Sequence, residues 1–118
     1  MKVEQIITDC EDLVLELHGE FDALGSAKIR HQLEAVAVQT SPQQVFLDLQ
    51  NVVFIDSSGV GAIVFLYKRL KENNRQLKIT GAHGQPRELL ELLRIHKAIP
   101  VALAGAVKIG SGETSCVA

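Results

Sequence analysis

The residues with chemistry to offer gather in one stretch, Ile55-Asp56-Ser57-Ser58-Gly59-Val60-Gly61, where an apolar run ends in an acid, two hydroxyls and a glycine. A helical pattern follows. A strand handing over to a helix exposes unpaired backbone N–H groups, and the helix dipole there favours negative charge. The two serines are therefore either helix caps or a place where a phosphate is written and read. Taken alone, a Ser-Ser pair at a helix start is first of all structural.

Other chemistries fit less well. A nucleophile elbow needs glycine two residues on each side of its serine, and Ile55 to Val60 does not supply that. His18, His31, His83 and His96 are the candidate bases, but His31 and His96 fall in helical patterns and His18 closes a strand. No pair of His, Cys or carboxylates has a ligand spacing such as H-x-x-x-H, so no metal is expected. Gly81-Ala82-His83-Gly84 lacks the lysine and the length of a phosphate-cradling loop, so no nucleotide cofactor is expected either. Asp22 and Asp56 belong on neighbouring loops if both crossovers have the usual hand. Nothing in the sequence gives either the raised pKa of a general acid. The sequence predicts no enzyme.

Alternation puts Leu13, Leu15 and Leu17 on one face of a strand, and Asp9-Cys10-Glu11-Asp12 reads as the turn of an N-terminal hairpin. Gly19-Glu20-Phe21-Asp22 is expected to break that strand. Asp22 can cap a helix to about Gln39, with Ile29, Leu33 and Val36 on its apolar face. Val45–Leu49 and Val52–Ile55 form an extended run into the motif. The next helix begins near Ser57 or Ser58, carries Val60, Ile63, Val64 and Tyr67 inward, and ends by Asn73-Asn74. Leu77–Thr80 is a strand and Gly81–Gly84 a turn. Pro86 opens a helix carrying Leu89, Leu92 and Leu93, and Ala98–Ala102 supplies an edge strand. The order is β-β-α-β-α-β-α-β, an α/β fold with a mixed sheet of four to five strands packed with helices. No internal repeats are visible.

With 118 residues, 47% of them hydrophobic and 22% charged, the chain suffices for one domain with a core. We place that domain at residues 1–102 and a Gly/Ser-containing, mobile or loosely docked tail at 103–118. The net charge of −2 and the lack of a basic cluster argue against a nucleic-acid partner. Residues 1–22 hold seven acids against Lys2 alone, which makes that end a solvated loop region or a docking surface for a basic partner. No apolar run reaches membrane-spanning length and no signal peptide is evident, so direct membrane insertion is not expected. Cys10 and Cys116, far apart and without redox spacing, are expected as free thiols in a reducing cytosol.

Val45–Leu49 followed by Phe54–Gly61 resembles the signature of the STAS domain, and more narrowly that of bacterial anti-sigma factor antagonists. Gly19-Glu20-Phe21-Asp22-Ala23 matches the element those proteins carry after the second strand, and the resemblance covers residues 3–102. It implies a cytoplasmic binding protein regulated by phosphorylation, without catalysis of its own. The phospho-acceptor would be Ser58, leaving Ser57 as the cap. The partner surface would be Asp22, Asp56, Ser57, Ser58 and Gly59. The implied partners are a serine kinase that doubles as the anti-sigma factor, and a PP2C-type phosphatase. Relatives of the same kind also imply two alternatives, an accessory subunit of a membrane lipid transporter and a regulator of exopolysaccharide or biofilm production. Leu92–Lys97 lacks the glycine many relatives place there, and the tail lies outside the family pattern.

Overall fold

The computed structural model describes residues 1–103; the tail predicted from 103 to 118 lies, after Leu103, outside the described residues. Strands β1 (Lys2–Ile7) and β2 (Leu13–Phe21) form the antiparallel hairpin, and α1 (Ala23–Val38) leads to β3 (Gln44–Ile55). Helix α2 (Ser57–Glu72), β4 (Gln76–Ala82), α3 (Gly84–Leu92), a 3-10 turn (Ile95–Lys97) and β5 (Val101–Leu103) follow. The predicted element order is observed, in a five-stranded sheet of order β1-β2-β3-β4-β5. Among the described residues β2 to β5 run parallel and the β1–β2 pair is antiparallel.

Because the strand order is sequential, α1 and α2 cross in the same direction and pack together on one face of the sheet. Leu13, Leu15 and Leu17 of β2 and Val45, Leu47 and Leu49 of β3 are buried in one core with Ile29, Leu33, Ile63, Leu66 and Leu70 of those helices. Glu4, Glu16, His18 and Asp48 alternate with core residues and so belong to the opposite face.

Several expectations need correction. β2 continues to Phe21 instead of breaking at Gly19, because its irregular register is absorbed between Glu16 and Glu20, with Gly19 at φ +112°, and β3 still pairs with it. Helix α3 starts at Gly84, so the predicted turn is divided between β4 and α3. Pro86 then sits third in the helix, where its missing N–H has no intrahelical partner to lose. In α3 it is Pro86 and Leu90 that are buried, while Leu92 is 77% exposed. On α2 the inward stripe runs through Ile63, Leu66 and Leu70, with Val64 and Tyr67 only partly buried. The edge strand begins at Val101, after the 3-10 turn, and not at Ala98. Cys10 is disulfide-bonded, not a free thiol; Cys116 lies outside the described residues.

A buried cation fastens the far side of the core. Helix α1 ends with no basic residue in its last turn. Arg75, just before β4 and 2% exposed, supplies the missing positive charge from a distance in sequence. Its Nε donates to Pro42 O at 2.7 Å, and its Nη1 to Val36 O at 2.6 Å and Gln39 O at 2.8 Å. Burial pushes the guanidinium pKa below its usual value, which is the expected cost of placing it there.

Candidate functional site

The site is built from two helix starts held side by side. Phe21 and Ile55 are paired at the ends of neighbouring parallel strands, so the residues after them, Asp22 and Asp56, emerge together. The Asp56 N–H donates to Phe21 O at 3.3 Å, which ties the two connections directly. Asp22 caps α1, its Oδ1 accepting from Gly25 N at 2.8 Å. Asp56 caps α2, its Oδ1 accepting from Ser58 N at 2.9 Å and Gly59 N at 3.2 Å. Ser57 is therefore not the cap. A carboxylate one residue earlier takes that role because it adds favourable charge to the acceptor geometry at the positive end of the helix. Ser57 and Ser58 are the first two residues of α2, and both are exposed.

The two starts share one pattern. Asp22-Ala23-Leu24-Gly25 and Asp56-Ser57-Ser58-Gly59 are the same cap with the same glycine three residues on. A Cβ on Gly59 would lie 2.3 Å from Phe21 O and 2.7 Å from Ile55 Cγ1; on Gly25 it would lie 2.2 Å from Glu20 O. Both helices must begin against the strand that precedes them or its neighbour, and only glycine permits that approach. Leu24, 67% exposed, stands where the second repeat has Ser58.

We expect Gly59→Ala to destabilise the fold by at least about 1–3 kcal/mol, because the obstructing atom is a backbone carbonyl that cannot step aside. Gly61→Ala is the control: nothing lies within 4 Å of its Cβ position. It should stabilise α2 by up to ~1 kcal/mol through helix propensity. Urea unfolding of both variants checks the pair.

Two residues that position the motif carried no signal in the sequence. The β3–β4 pairing ends at Asp48 and Thr80, so β3 runs on toward the motif without β4 beside it. Gln85 of α3 fills the gap: its Oε1 accepts from Ile55 N at 2.9 Å and its Nε2 donates to Ile55 O at 2.8 Å. The Gln85 amide thus stands in for a strand immediately before Asp56. The His83 ring makes a 2.8 Å hydrogen bond with Gln50 O further back along the same edge. These roles depend on where one strand falls short of another, which periodicity does not reveal.

Around the serines the surface suits a protein partner. Val53, Phe54 and Leu24 are 68%, 40% and 67% exposed. A groove of about 330 Å³ lies between α1 and α2, lined by Ala23, Ala27, Arg30, Leu33, Ala62 and Phe65. Ala62 and Phe65 follow Ser58 at helical spacing on the same side of α2. A larger hollow of about 410 Å³, with Lys71, Arg75 and Lys78 in its wall, sits by the opposite end of α2 and has no part in this site. No histidine hydrogen-bonds either serine among the described residues. The structure thus brings Asp22, Asp56, Ser57, Ser58 and Gly59 together.

The sequence profile of the STAS domain matches residues 2–106. An anti-sigma F factor antagonist of Paenibacillus polymyxa is 27% identical over 89 residues, 75% of this chain and 76% of that protein. The putative sulfate transporter YvdB of Bacillus subtilis is 32% identical over 72 residues, which are 61% of this chain but 12% of the transporter. Among solved structures, the phosphorylated form of the Bacillus cell fate determinant SpoIIAA is similar with a TM-score of 0.66 at 19% identity, covering 86% of this chain and 91% of that one. At that identity the likeness is one of fold.

Proposed function

Because this chain belongs to the STAS domain family, we propose that it is a non-catalytic regulatory protein, an anti-sigma factor antagonist switched by phosphorylation of Ser58. Unphosphorylated, it binds an anti-sigma factor that is also a serine kinase. The phosphate releases that partner, and a PP2C-type phosphatase restores binding. The partner surface is Asp22, Asp56, Ser57, Ser58 and Gly59, bordered by Leu24 and Phe54.

The observation that carries this role is the placement of Ser58, exposed in the first turn of α2 beside two cap carboxylates. A kinase can reach the hydroxyl, and added charge falls on the surface and not in the core. The similarity to an anti-sigma F factor antagonist and to a phosphorylated structural neighbour supports the same reading. A cytoplasmic location follows from the proposed partners. With Cys10 in a disulfide, the cysteines no longer support it. Among the described residues no helix is long and apolar enough to cross a membrane.

Incubation with ATP and an anti-sigma kinase, followed by mass spectrometric mapping, is the direct test. Phosphate on Ser58 is the expected result; modification of Ser57 alone, or of neither serine, would sink the proposal. A second reading, as the STAS module serving a membrane transporter, is favoured by the identity with the putative sulfate transporter. It predicts co-purification with transporter subunits and no change in that association for Ser58→Asp.

A further inference from the structure

We propose that Glu4, Glu16 and His18 form a binding site for a divalent transition-metal ion, Zn²⁺ foremost, on the sheet face opposite α1 and α2. Glu4 of β1 and Glu16 of β2 are directly opposed partners, and His18 is two residues further along β2, so all three project from the same face. One ligand atom from each lies within 4.8 Å of the other two. His18 Nε2 is 3.5 Å from Glu16 Oε1 and 4.0 Å from Glu4 Oε2. Zinc bonds of about 2.0–2.1 Å in a tetrahedral arrangement set neighbouring ligand atoms ~3.3 Å apart, so closure asks for side-chain movements of about 1.5 Å at most.

Two observations point to a cation there. Carboxylates directly opposed across strands repel one another, and Asp48 of β3, paired with Glu16, adds a third acid to the row. His18, whose side chain is 33% exposed, keeps its Nε2 atom shielded from solvent and makes no hydrogen bond with it, the two carboxylates lying at ion-pair distance. A metal ion would use the lone pair of that nitrogen and neutralise the acids together. One imidazole and two carboxylates suit zinc; magnesium and calcium prefer oxygen alone. A fourth position stays open to water. Lys2 is the competitor already present, its Nζ 2.9 Å from Glu4 Oε1, but its side chain is 71% exposed and can swing away. The spacing Glu16-x-His18 is a ligand pair for a strand, which a search for helical spacings does not find.

Calorimetric titration of the chelator-stripped full chain with ZnCl₂ tests the site, with MgCl₂ alongside. One Zn²⁺ per chain is expected, with affinity lower by at least about tenfold in His18→Gln and in Glu16→Gln, since even loss of an outer-shell partner costs that much. Lys2→Ala should bind more tightly. Zn²⁺ should also raise the unfolding temperature of the parent chain and not that of His18→Gln. Glu16→Gln is isosteric and removes a repulsion, so it keeps the test valid if His18→Gln folds poorly. No binding by the parent chain, or binding by both variants as tight as the parent's, overturns the proposal. Neither result bears on Ser58, which belongs to a different surface.

Discussion

Phosphorylation of Ser58 is expected to weaken binding of the anti-sigma partner by about ten- to a hundredfold while leaving the fold intact. A phosphate of charge near −2, some 6 Å from a partner carboxylate, costs roughly 1.4–2.8 kcal/mol at an effective dielectric of about 40–80. Each ~1.4 kcal/mol is a factor of ten in affinity. Ser58→Asp adds half the charge and should weaken binding by only about three- to tenfold on the same arithmetic. Ser58→Ala should bind as the unmodified chain does.

The fold is spared because the new charge sits in the first turn of α2, where the dipole favours it by ~0.3–1 kcal/mol. Repulsion from Asp56, whose Oδ1 already holds Ser58 N, works against that gain. The two effects oppose each other, so unfolding midpoints of modified and unmodified protein should be close. Surface plasmon resonance in low and high salt, with urea unfolding beside it, separates binding from stability. Undiminished partner binding by phosphorylated protein would end the proposal.

Arg75→Ala is expected to produce the greatest loss of stability among these substitutions, about 3–4 kcal/mol. Hydrogen bonds from a charged donor contribute about 1.5–3 kcal/mol each, and their partners here, the carbonyls of Val36, Gln39 and Pro42, would lose a buried donor. The gains do not simply add, and Nη2 is itself buried without a partner, which trims the total. Against a typical domain stability of about 5–15 kcal/mol the loss is large. Arg75→Lys should recover only part of it, because one ammonium cannot reproduce the spread of the planar guanidinium. Urea unfolding measures both variants. Arg75 lies near the C-terminal end of α2, away from Ser58, so partner binding by the folded fraction should be unchanged.

Much of the architecture was legible because alternation and helical spacing report directly on burial. Leu13, Leu15 and Leu17 of β2 and Ile29, Leu33 and Val36 of α1 went to the core as their spacing required. The approach of Asp22 to Asp56 followed from connection handedness alone. Arg75 shows the limit: a charged residue beside a strand reads as solvated, and only the converging carbonyls of α1 and the following loop explain its burial. Gln85 shows another, since its role exists only where β3 outruns β4. The switch of the cap from Ser57 to Asp56 turned on one residue of phase, finer than an apolar pattern resolves.

The wedge of Gly59 against Phe21 bears on timing. A helix start pressed this closely onto its neighbouring strand leaves little slack, so under the proposed function a phosphate on Ser58 would call for no slow rearrangement inside this domain. Response speed would then belong to the proposed kinase, phosphatase and partner. Such a domain would be a stiff token that reports its modification state as soon as it changes, its delay set by enzyme levels and not by this chain.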